Sequence, residues 1–575
     1  MLLTTMLKVG MPILLTLLTV LSSNAMVSRK CRCLPNNGCW PDDQAWANFN
    51  SSLSGRLLMT KPPLYFCHEP HFDEAACNIV RLGYFDGVWR SDQPTALQNT
   101  NWEMNGSEGC QNPNKNAPCL QGAIPIYTVN ASSVLDIQKA VIFAHQHNLR
   151  LVVKNTGHDF LGRSTGPGSL SIWTHHLNTT IFHKSFTPEN CDNNIKTSAV
   201  SVGAGVQWDH LYQATEEQGV NVVGGAGPTV GAAGGYAQGG GHSPLSVKYG
   251  LCVDNVLQYK IITADGKLRT ANACQNPDLF WALRGGGGGT FGVVVEVTHK
   301  TYKSFENIIG TAYQINATDI ASYKDLIKEF IHIQPALSDV GWAGYFSLGD
   351  KQLSWAYLFP NSSTSFALAT LAPLLSFVGK HSNLTMGGNI YSFPSFHSWY
   401  KVFGTESSGT AAILGSRLVP RKNFETKESI DQLTDVLLKV QEKSKYAPII
   451  GHLVAGGAVS RNNGPETSVL PAWRSALWHT IITNGWSGNT TVAEQQRLAR
   501  DLTNTTKLLR DITPGSGAYL NEADANEPDW QQSFFGSNYL RLKAIKTTYD
   551  PYGLFVCRKC VGSEEWSEDL NCPIS

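Results

Sequence analysis

Three glycine-dense loops between residues 151 and 292 constrain the fold of this chain more than any other feature. The first is LVVKNTGHDFLGRSTGPGSLSIW, the second is GGAGPTVGAAGGYAQGGGH, and the third is the glycine run of LFWALRGGGGGTFGVVVEV. Consecutive backbone N–H groups in such loops bind anions, and glycine lets the chain approach a phosphate closely. Three such loops predict a large, phosphate-bearing cofactor. The alternative is that the glycines serve only turns and bulges.

The spacing of the glycines excludes two common nucleotide sites. The sequence has no G-x-x-x-x-G-K-[ST] stretch, which a triphosphate-binding P-loop requires. In GAGPTVG the glycines have the wrong spacing for a Rossmann fingerprint, and no acidic residue ends a second strand where that fold needs one. Phosphate binding alone also does not explain the one histidine of the first loop, His158.

The segments around these loops predict alternating helices and strands. Ser132 or Ser133 is a candidate N-cap for a helix whose apolar residues recur at helical spacing, and LRLVVK after it is a strand. VLQYKIITADGKLRTA predicts a β-hairpin that turns at its Asp-Gly pair. In NPDLFWALRG, Asn276 is the candidate cap of a helix with proline at its first position.

Glycine becomes rarer after residue 304, and the pattern predicts a second α+β domain over 305–515. VGWAGYFSL and QLSWAYLF are strand-like, whereas FETKESIDQLTDVLLKVQEKSK and TTVAEQQRLARDLTNTTKLLRDI are amphipathic helices. We expect an antiparallel sheet in this domain. A further helix is expected over FFGSNYLRLKAIKTTYD near the C-terminus.

The N-terminus predicts export through the secretory pathway. Residues 1–25 contain a lysine, the apolar run MPILLTLLTVL and small residues at Ser23 and Ala25, which is typical of a cleaved signal peptide; a buried helix is the alternative. We expect a secreted protein or one in the lumen of a secretory organelle, without a membrane association after cleavage. The near-zero net charge disfavours nucleic acid as a partner. N-glycans are expected at the Asn-x-Ser/Thr acceptors Asn50, Asn105, Asn130, Asn178, Asn316, Asn361, Asn383, Asn489 and Asn504.

Thirteen cysteines in an exported chain predict disulfides and at least one cysteine unpaired within the chain. Many of them lie in the loop-rich, cysteine-rich region 26–119. His68 and His71, next to two of these cysteines, are a weaker candidate for a metal site. The Cys557-x-x-Cys560 pair could be a redox motif, but no thioredoxin-like unit precedes it.

Several separated motifs together resemble one flavoprotein family. KNTGHDFLGRS resembles the phosphate loop of the vanillyl-alcohol-oxidase or PCMH type, and more narrowly its berberine-bridge-enzyme-like branch. GPTVGAAGGYAQGGGHSPLSVKYGLCVDNV, LFWALRGGGGGTFGVVVEV and FFGSNYLRLKAIKTTYDPYGLF match this branch in the same order, and CRCLPNNGCWP resembles its secreted fungal isoamyl-alcohol-oxidase-like subgroup. The resemblance implies an α+β fold with a PCMH-type FAD domain in two segments, 120–304 and 516–575, and the substrate domain 305–515 inserted between them.

The resemblance also implies roles for individual residues. His158 stands where the family bonds the 8α-methyl of FAD covalently. Members with a second link carry a cysteine just before PTVG, where this chain has Gly227, so a single histidyl link is expected; Cys252 lies farther on and is expected to be a buried thiol or a disulfide partner. No metal ligands are expected. The FAD-binding residues that the resemblance implies are His158, Asn155, Thr156, Gly157, Gly162, Arg163, Ser164, Gly227, Thr229, Gly234, Gly240, Gly241, His242, Val295 and Asn538.

For the chemistry, the resemblance implies an FAD-linked oxidase. A substrate C–H, in an alcohol or an intermediate of secondary metabolism, would pass a hydride to flavin N5, and O₂ would reoxidise the flavin to give H₂O₂. Glu522 is the first candidate for the base and Tyr519 the second. One alternative is a redox-neutral isomerase or cyclase in which Glu522 is a general acid, and another is an inactive binding protein. The tryptophans of 305–515 suit an apolar or aromatic substrate and suit an ordinary core equally well.

Overall fold

The structure is a computed structural model that describes residues 29–112, 114–192, 196–404, 406–444, 447–462 and 466–574. The expected signal peptide, 1–25, lies outside the described residues. Across the described part of the chain, no helix has the length and apolar character needed to cross a membrane.

The first glycine loop extends from a four-stranded sheet of order β1-β2-β4-β3. Strands β2 and β3 run parallel to β4, and β1 pairs antiparallel with β2. Its strands are β1 (Leu57–Met59), β2 (Tyr127–Asn130), β3 (Leu151–Lys154) and β4 (Leu170–Trp173), and the helices of this part are α1 (Asp43–Ser52), α2 (Glu74–Gly83), α3 (Gly87–Ser91) and α4 (Val134–Gln146).

The N-terminal region is more ordered than its loop-rich sequence indicates. Helix α1 buries Trp46 and Phe49 on the sheet's core, and the Phe49 ring stacks on Phe143 of α4 with ring centroids 4.0 Å apart. The predicted cap of α4 is confirmed at Ser133, whose side chain accepts a hydrogen bond from the N–H of Asp136. Sequence reasoning underestimated this region because prolines, asparagines and cysteines occur throughout it and obscure the helical pattern.

The second sheet is antiparallel with the order β5-β6-β10-β8-β9, and a short ribbon pairs β7 with β11. The predicted hairpin is confirmed as β8 and β9, with its turn glycine, Gly266, at φ 74°. The strands are β5 (Thr180–Phe186), β6 (Thr197–Gly203), β7 (Val220–Asn221), β8 (Val256–Ile262), β9 (Leu268–Asn272), β10 (Val293–Lys300) and β11 (Tyr302–Lys303), and the helices are α5 (Trp208–Glu217), α6 (Gly235–Gly239), α7 (Ser246–Tyr249) and α8 (Pro277–Leu283).

The predicted N-cap of α8 is confirmed at Asn276, with proline at the start of the helix, but the cap acts without its side chain. Asn276 precedes the helix in a left-handed conformation and its side chain makes no capping bond. Its amide donates instead to the carbonyl of Thr270 at 2.7 Å. The helix begins at its proline, whose fixed φ suits a first helical position without a side-chain cap.

The inserted domain contains a seven-stranded sheet of order β15-β12-β14-β13-β17-β18-β16, in which every pairing is antiparallel as predicted. Its strands are β12 (Ile308–Ala317), β13 (Ala343–Gly349), β14 (Gln352–Pro360), β15 (Leu384–Phe393), β16 (Ala411–Pro420), β17 (Ile449–Leu453) and β18 (Ala476–Trp486), and its helices are α9 (Ile320–Val340), α10 (Thr364–Lys380), α11 (Phe396–Phe403), α12 (Lys427–Lys443), α13 (Gly457–Arg461) and α14 (Val492–Ile512).

The C-terminal segment returns to the core of the second sheet. The single helix predicted there is interrupted: α15 (Trp530–Phe535) and α16 (Tyr539–Tyr549) are separated at Gly536, which has φ 56°. A left-handed residue at that point ends an α-helix. Leu542 and Ile545 of α16 pack in the same core cluster as the residues around the second glycine loop.

Disulfides join the two ends of the described chain. Cys31 pairs with Cys572 across 541 residues, and Cys557 pairs with Cys560, so the C-x-x-C motif is a disulfide in this structure. The cysteine expected to be unpaired is Cys252, a buried thiol. The other pairs are Cys33–Cys39, Cys67–Cys77, Cys110–Cys119 and Cys191–Cys274. Because Cys67 and Cys77 are bonded to each other, they are not thiolate ligands for the metal site considered beside His68.

Candidate flavin site and histidine cluster

The loop after β3 aims His158 at the second glycine loop. Gly157 and Gly162 have φ of 87° and 72°, which glycine adopts readily and other residues rarely do. An added Cβ at Gly162 would lie 2.5 Å from the ring of Trp102. His158 Nε2 lies 2.7 Å from Thr229 Oγ1, which joins the first two loops side chain to side chain.

Glu406 of the inserted domain completes this contact. Its Oε2 accepts hydrogen bonds from Thr229 Oγ1 at 2.7 Å and Thr229 N at 3.1 Å, and lies 3.5 Å from His158 Nε2. Burial alone would raise the pKa of Glu406, but its interactions with His158 and Thr229 outweigh burial and hold the pKa below its usual value. Because the Thr229 hydroxyl donates its hydrogen to the carboxylate, its oxygen accepts a hydrogen bond from His158 Nε2–H. This network favours the Nε2–H tautomer of His158, in which Nδ1 carries the free lone pair.

The C-terminal segment closes the site through Asn521. Its Oδ1 accepts from Arg163 of the first loop at 3.2 Å, and its Nδ2 donates to Gly235 O of the second loop at 3.0 Å. The third loop joins at Gly287, whose N–H donates to Gln238 O at 3.1 Å. All three glycine loops therefore meet at one place, together with the segment AYLNEAD.

Unpartnered polar groups at this place fit the groups of FAD. Arg163 Nη1 and Asn155 Oδ1 are buried without a hydrogen-bond partner, although Arg163 Nε is held by Asp159 at 2.7 Å. A Cβ added at Gly234 or Gly235 would meet no atom within 4 Å, so the backbone there faces open space. A guanidinium group beside open glycine backbone suits the pyrophosphate of FAD.

The other residues expected to bind FAD lie in different surroundings. Gly240 and Gly241 have positive φ, and a Cβ at Gly241 would lie 2.6 Å from Cys252 Cβ, so this turn requires glycine. Val295 is different: its side chain is in the core and its carbonyl accepts from Ala204 N. Asn538 donates both its amide hydrogen bonds within the protein, to the carbonyls of Ser468 and Val469. Thr156 is buried, and Ser164 and Gly227 are half-buried along the same loops.

Glu522 lies among three buried histidines. Its Oε2 is 3.1 Å from His242 Nε2 and 3.4 Å from His479 Nδ1, and His479 Nδ1 is 3.1 Å from His452 Nδ1. His242 comes from the turn after α6, while His452 and His479 are paired neighbours on β17 and β18. Burial holds the pKa of both His452 and His479 well below the usual value, with nearby histidines adding to the effect.

Tyr519, the second candidate base, is fully buried beside this cluster. Burial raises its pKa far above the usual value, and the nearby Glu522 raises it further. Its hydroxyl accepts a hydrogen bond from Asn521 at 2.8 Å. These surroundings disfavour a phenolate, which a tyrosine base would require.

Aromatic rings surround the histidine cluster. The Trp473 ring lies 5.8 Å from the His479 ring, and the Tyr345 ring lies 4.9 Å from the His452 ring, measured between ring centroids. The Tyr345 hydroxyl is buried without a hydrogen-bond partner. Most of the other tryptophans of the inserted domain belong to its core: Trp342, Trp355, Trp399 and Trp478 are buried in core clusters, and Trp486 packs against one. The aromatic character of the site therefore comes from few residues.

Sequence analysis missed four residues of this site: Glu406, His452, His479 and Asn521. The first three belong to the inserted domain, where no motif marks them, and long-range pairing of β17 with β18 brings the two histidines together. Asn521 could have been found, since it lies within AYLNEAD, one residue before Glu522.

Comparison with known proteins agrees with this geometry. Residues 125–272 match the family described as FAD binding domain, and residues 518–561 match the family described as berberine and berberine like. An uncharacterized FAD-linked oxidoreductase of Arthroderma benhamiae is 42% identical over 566 residues, covering 94% of this chain and 96% of that protein. The VAO-type flavoprotein oxidase VAO615 of Thermothelomyces thermophilus is 33% identical over 560 residues, covering 96% of each.

A solved structure gives the same result for the whole fold. The crystal structure of VAO-type flavoprotein MtVAO615 from Myceliophthora thermophila C1 superposes with a TM-score of 0.88 at 31% identity, covering 95% of this chain and 100% of that one. Sequence motifs, fold and relatives agree, and the chain belongs to the vanillyl-alcohol-oxidase-type FAD-linked oxidoreductases, in their berberine-bridge-enzyme-like branch.

Proposed function

We propose that this oxidoreductase is an oxidase that takes a hydride from a C–H bond of a small alcohol or secondary-metabolite intermediate. FAD held covalently through His158 would supply the redox chemistry, as acceptor of the hydride at N5 and as donor of electrons to O₂ with release of H₂O₂. The observation that carries the proposal is the position of His158, between a carboxylate-bound threonine and the meeting point of three glycine loops.

The histidyl link is supported by the hydrogen bonds that orient the His158 ring. The Thr229–Glu406 pair holds Nε2, so Nδ1 is the nitrogen left for a covalent bond. A second link would need a cysteine at Gly227, which carries no side chain. A Cβ added at Gly227 would lie 3.8 Å from Glu406 Oε2, the carboxylate oxygen that contacts Thr229 and His158. With no thiol at this position, a single link is expected.

Removal of a substrate proton is proposed to occur at the cluster around Glu522. The carboxylate is within hydrogen-bond reach of the His242 imidazole and close to that of His479, and it is only partly buried, with 25% of its side chain exposed. An exposed edge lets a substrate hydroxyl approach, while the histidines restrict the carboxylate's movement. A substrate with apolar or aromatic groups would find Trp473 and Tyr345 beside that edge.

The activity test uses the mature protein and a panel of alcohols and aromatic polyketide-like compounds. Oxidase activity predicts H₂O₂ release in proportion to a product two hydrogens lighter than the substrate. A product of unchanged mass, with no H₂O₂, would replace the proposal with the redox-neutral isomerase in which Glu522 is a general acid.

Two variants give this test its controls. His158→Ala is expected to lose the covalent flavin and most of the activity. His332→Ala changes a solvent-exposed histidine of α9 and is expected to keep both. Correctly folded wild-type protein that contains no flavin would contradict the enzyme proposal and leave an inactive binding protein.

A further inference from the structure

The histidine cluster brings four potential metal ligands together from three separate parts of the chain. The atoms are His242 Nε2, His452 Nδ1, His479 Nδ1 and one carboxylate oxygen of Glu522, and all lie within 4.8 Å of one another. The three histidines are buried and Glu522 is half-buried. The cluster therefore joins the second glycine loop, the inserted sheet and the C-terminal segment, at the edge of the flavin site.

Three of the six distances between these atoms match the edges of a coordination polyhedron. Metal–ligand bonds of about 2.1 Å place neighbouring ligand atoms about 3.0 Å apart in an octahedron and about 3.4 Å apart in a tetrahedron. The three measured contacts are 3.1 Å from His242 to Glu522, 3.4 Å from Glu522 to His479 and 3.1 Å from His479 to His452. The other three separations are no more than 4.8 Å, so the side chains would have to move closer together for all four atoms to bind one ion.

Without an ion, each contact in this cluster needs an imidazole N–H as its donor. Two imidazole Nδ1 atoms face each other at 3.1 Å, and each neutral imidazole carries only one N–H. A carboxylate offers acceptors only. A cation at the centre would satisfy the lone pairs of both Nδ1 atoms, of His242 Nε2 and of the carboxylate at once.

We propose that His242, His452, His479 and Glu522 bind one divalent transition-metal ion, which in turn binds a substrate oxygen. Imidazole nitrogens with one carboxylate suit Zn²⁺, Mn²⁺ or Fe²⁺, whereas Ca²⁺ and Mg²⁺ require mainly oxygen ligands. Three neutral imidazoles, one carboxylate and a divalent ion sum to a charge of about +1, which favours an anionic oxygen as a further ligand. Glu522 is then a metal ligand rather than the base: the metal lowers the pKa of the substrate hydroxyl, and the proton passes to solvent water at the exposed edge of Glu522.

The role of the metal in substrate binding rests on the proposed function, whereas the metal site itself does not. This role narrows the substrate to molecules with a hydroxyl or carboxylate oxygen next to the C–H bond that is oxidised. The Tyr345 hydroxyl, which is buried without a partner and whose ring lies 4.9 Å from that of His452, is available to hydrogen-bond the same oxygen.

The test is the metal content of the holoprotein, purified without a polyhistidine tag. Elemental analysis is expected to find about one equivalent of Zn²⁺, Mn²⁺ or Fe²⁺ per chain, or, after chelation with dipicolinate, titration with Zn²⁺ or Mn²⁺ is expected to show one saturable site. Glu522→Gln and His479→Asn should each weaken Zn²⁺ binding by at least tenfold, while His299→Asn, a buried histidine outside the cluster, should not.

Flavin retained after acid precipitation is measured on the same samples. Variants that lose the metal but keep the flavin support the site. A wild-type protein that neither contains nor takes up metal overturns it, as does binding that is unchanged in both ligand variants. Metal uptake without any flavin would instead refute the proposed function and leave the metal site standing.

Discussion

Replacing Glu406 by Gln should slow the attachment of FAD to His158. The carboxylate lies 3.5 Å from His158 Nε2 and accepts the Thr229 hydroxyl hydrogen at 2.7 Å. It therefore stabilises the positive charge that the imidazole acquires when its other nitrogen forms a covalent bond. The amide of glutamine keeps the shape and the acceptor oxygen but removes the charge.

The size of the effect follows from the distance and the exposure. Two unit charges 3.5 Å apart interact by about 5 kcal/mol at an effective dielectric constant of 20. Both side chains are slightly exposed, at 11% and 16%, so solvent reduces this interaction. We therefore use the typical value of a hydrogen bond to a charged group, about 1.5–3 kcal/mol. Its loss would lower the rate of flavin attachment about 10- to 150-fold.

The assay measures covalent flavin directly. Wild type and Glu406→Gln are produced in riboflavin-limited cells and mixed with FAD, and samples are quenched in acid over time to measure the flavin that stays with the precipitated protein. The matched control is Glu216→Gln, which alters a similar carboxylate–histidine pair with His397, 2.7 Å apart, on α5 and α11. Equal rates for Glu406→Gln and wild type, or an equal slowing by Glu216→Gln, would refute the reasoning.

Two further predictions concern stability. Burial lowers the pKa of Lys154 to about 7. Between pH 7 and 9 the unfolded chain therefore keeps a proton on this lysine that the folded chain has lost, and the free energy of unfolding rises with pH by up to about 3 kcal/mol. Melting curves should show Lys154→Met gaining more over wild type at pH 7 than at pH 9, and an equal gain at both would contradict this. The second prediction concerns the Cys31–Cys572 disulfide, which closes a loop of 541 residues. In the chain-entropy model, changing both cysteines to serine should destabilise the protein by about 6 kcal/mol, whereas the same change at the six-residue Cys33–Cys39 pair should cost about 2 kcal/mol. Denaturant titration measures both losses, and equal losses would contradict the prediction.

Local signals predicted the flavin side of the molecule well. The glycine loops, the histidine between them and the hairpin follow from residues close together in sequence, where turn chemistry and hydrophobic periodicity determine the structure. The same reasoning placed the N-cap of α8 at Asn276 but did not predict its left-handed backbone or the contact of its side chain with Thr270.

The contacts that the inserted domain makes with the glycine loops could not be predicted in the same way. His452 and His479 are ordinary strand residues until β17 pairs with β18, and Glu406 reaches Thr229 from the inserted domain. Burial, which sequence does not reveal, also changes the comparison between the two candidate bases. It raises the pKa of Tyr519 far above its usual value, and this disfavours Tyr519 as the base.

The central claim is that His158 holds the flavin covalently at the meeting point of three glycine loops. Its most direct test is to precipitate the mature protein with acid, digest it and map the flavin to a peptide. The account predicts one flavin-bearing peptide, heavier by the mass of FAD or of its acid-hydrolysed form, with the attachment at His158 and no second link. Flavin released into the supernatant, or attached to any other residue, would contradict the claim.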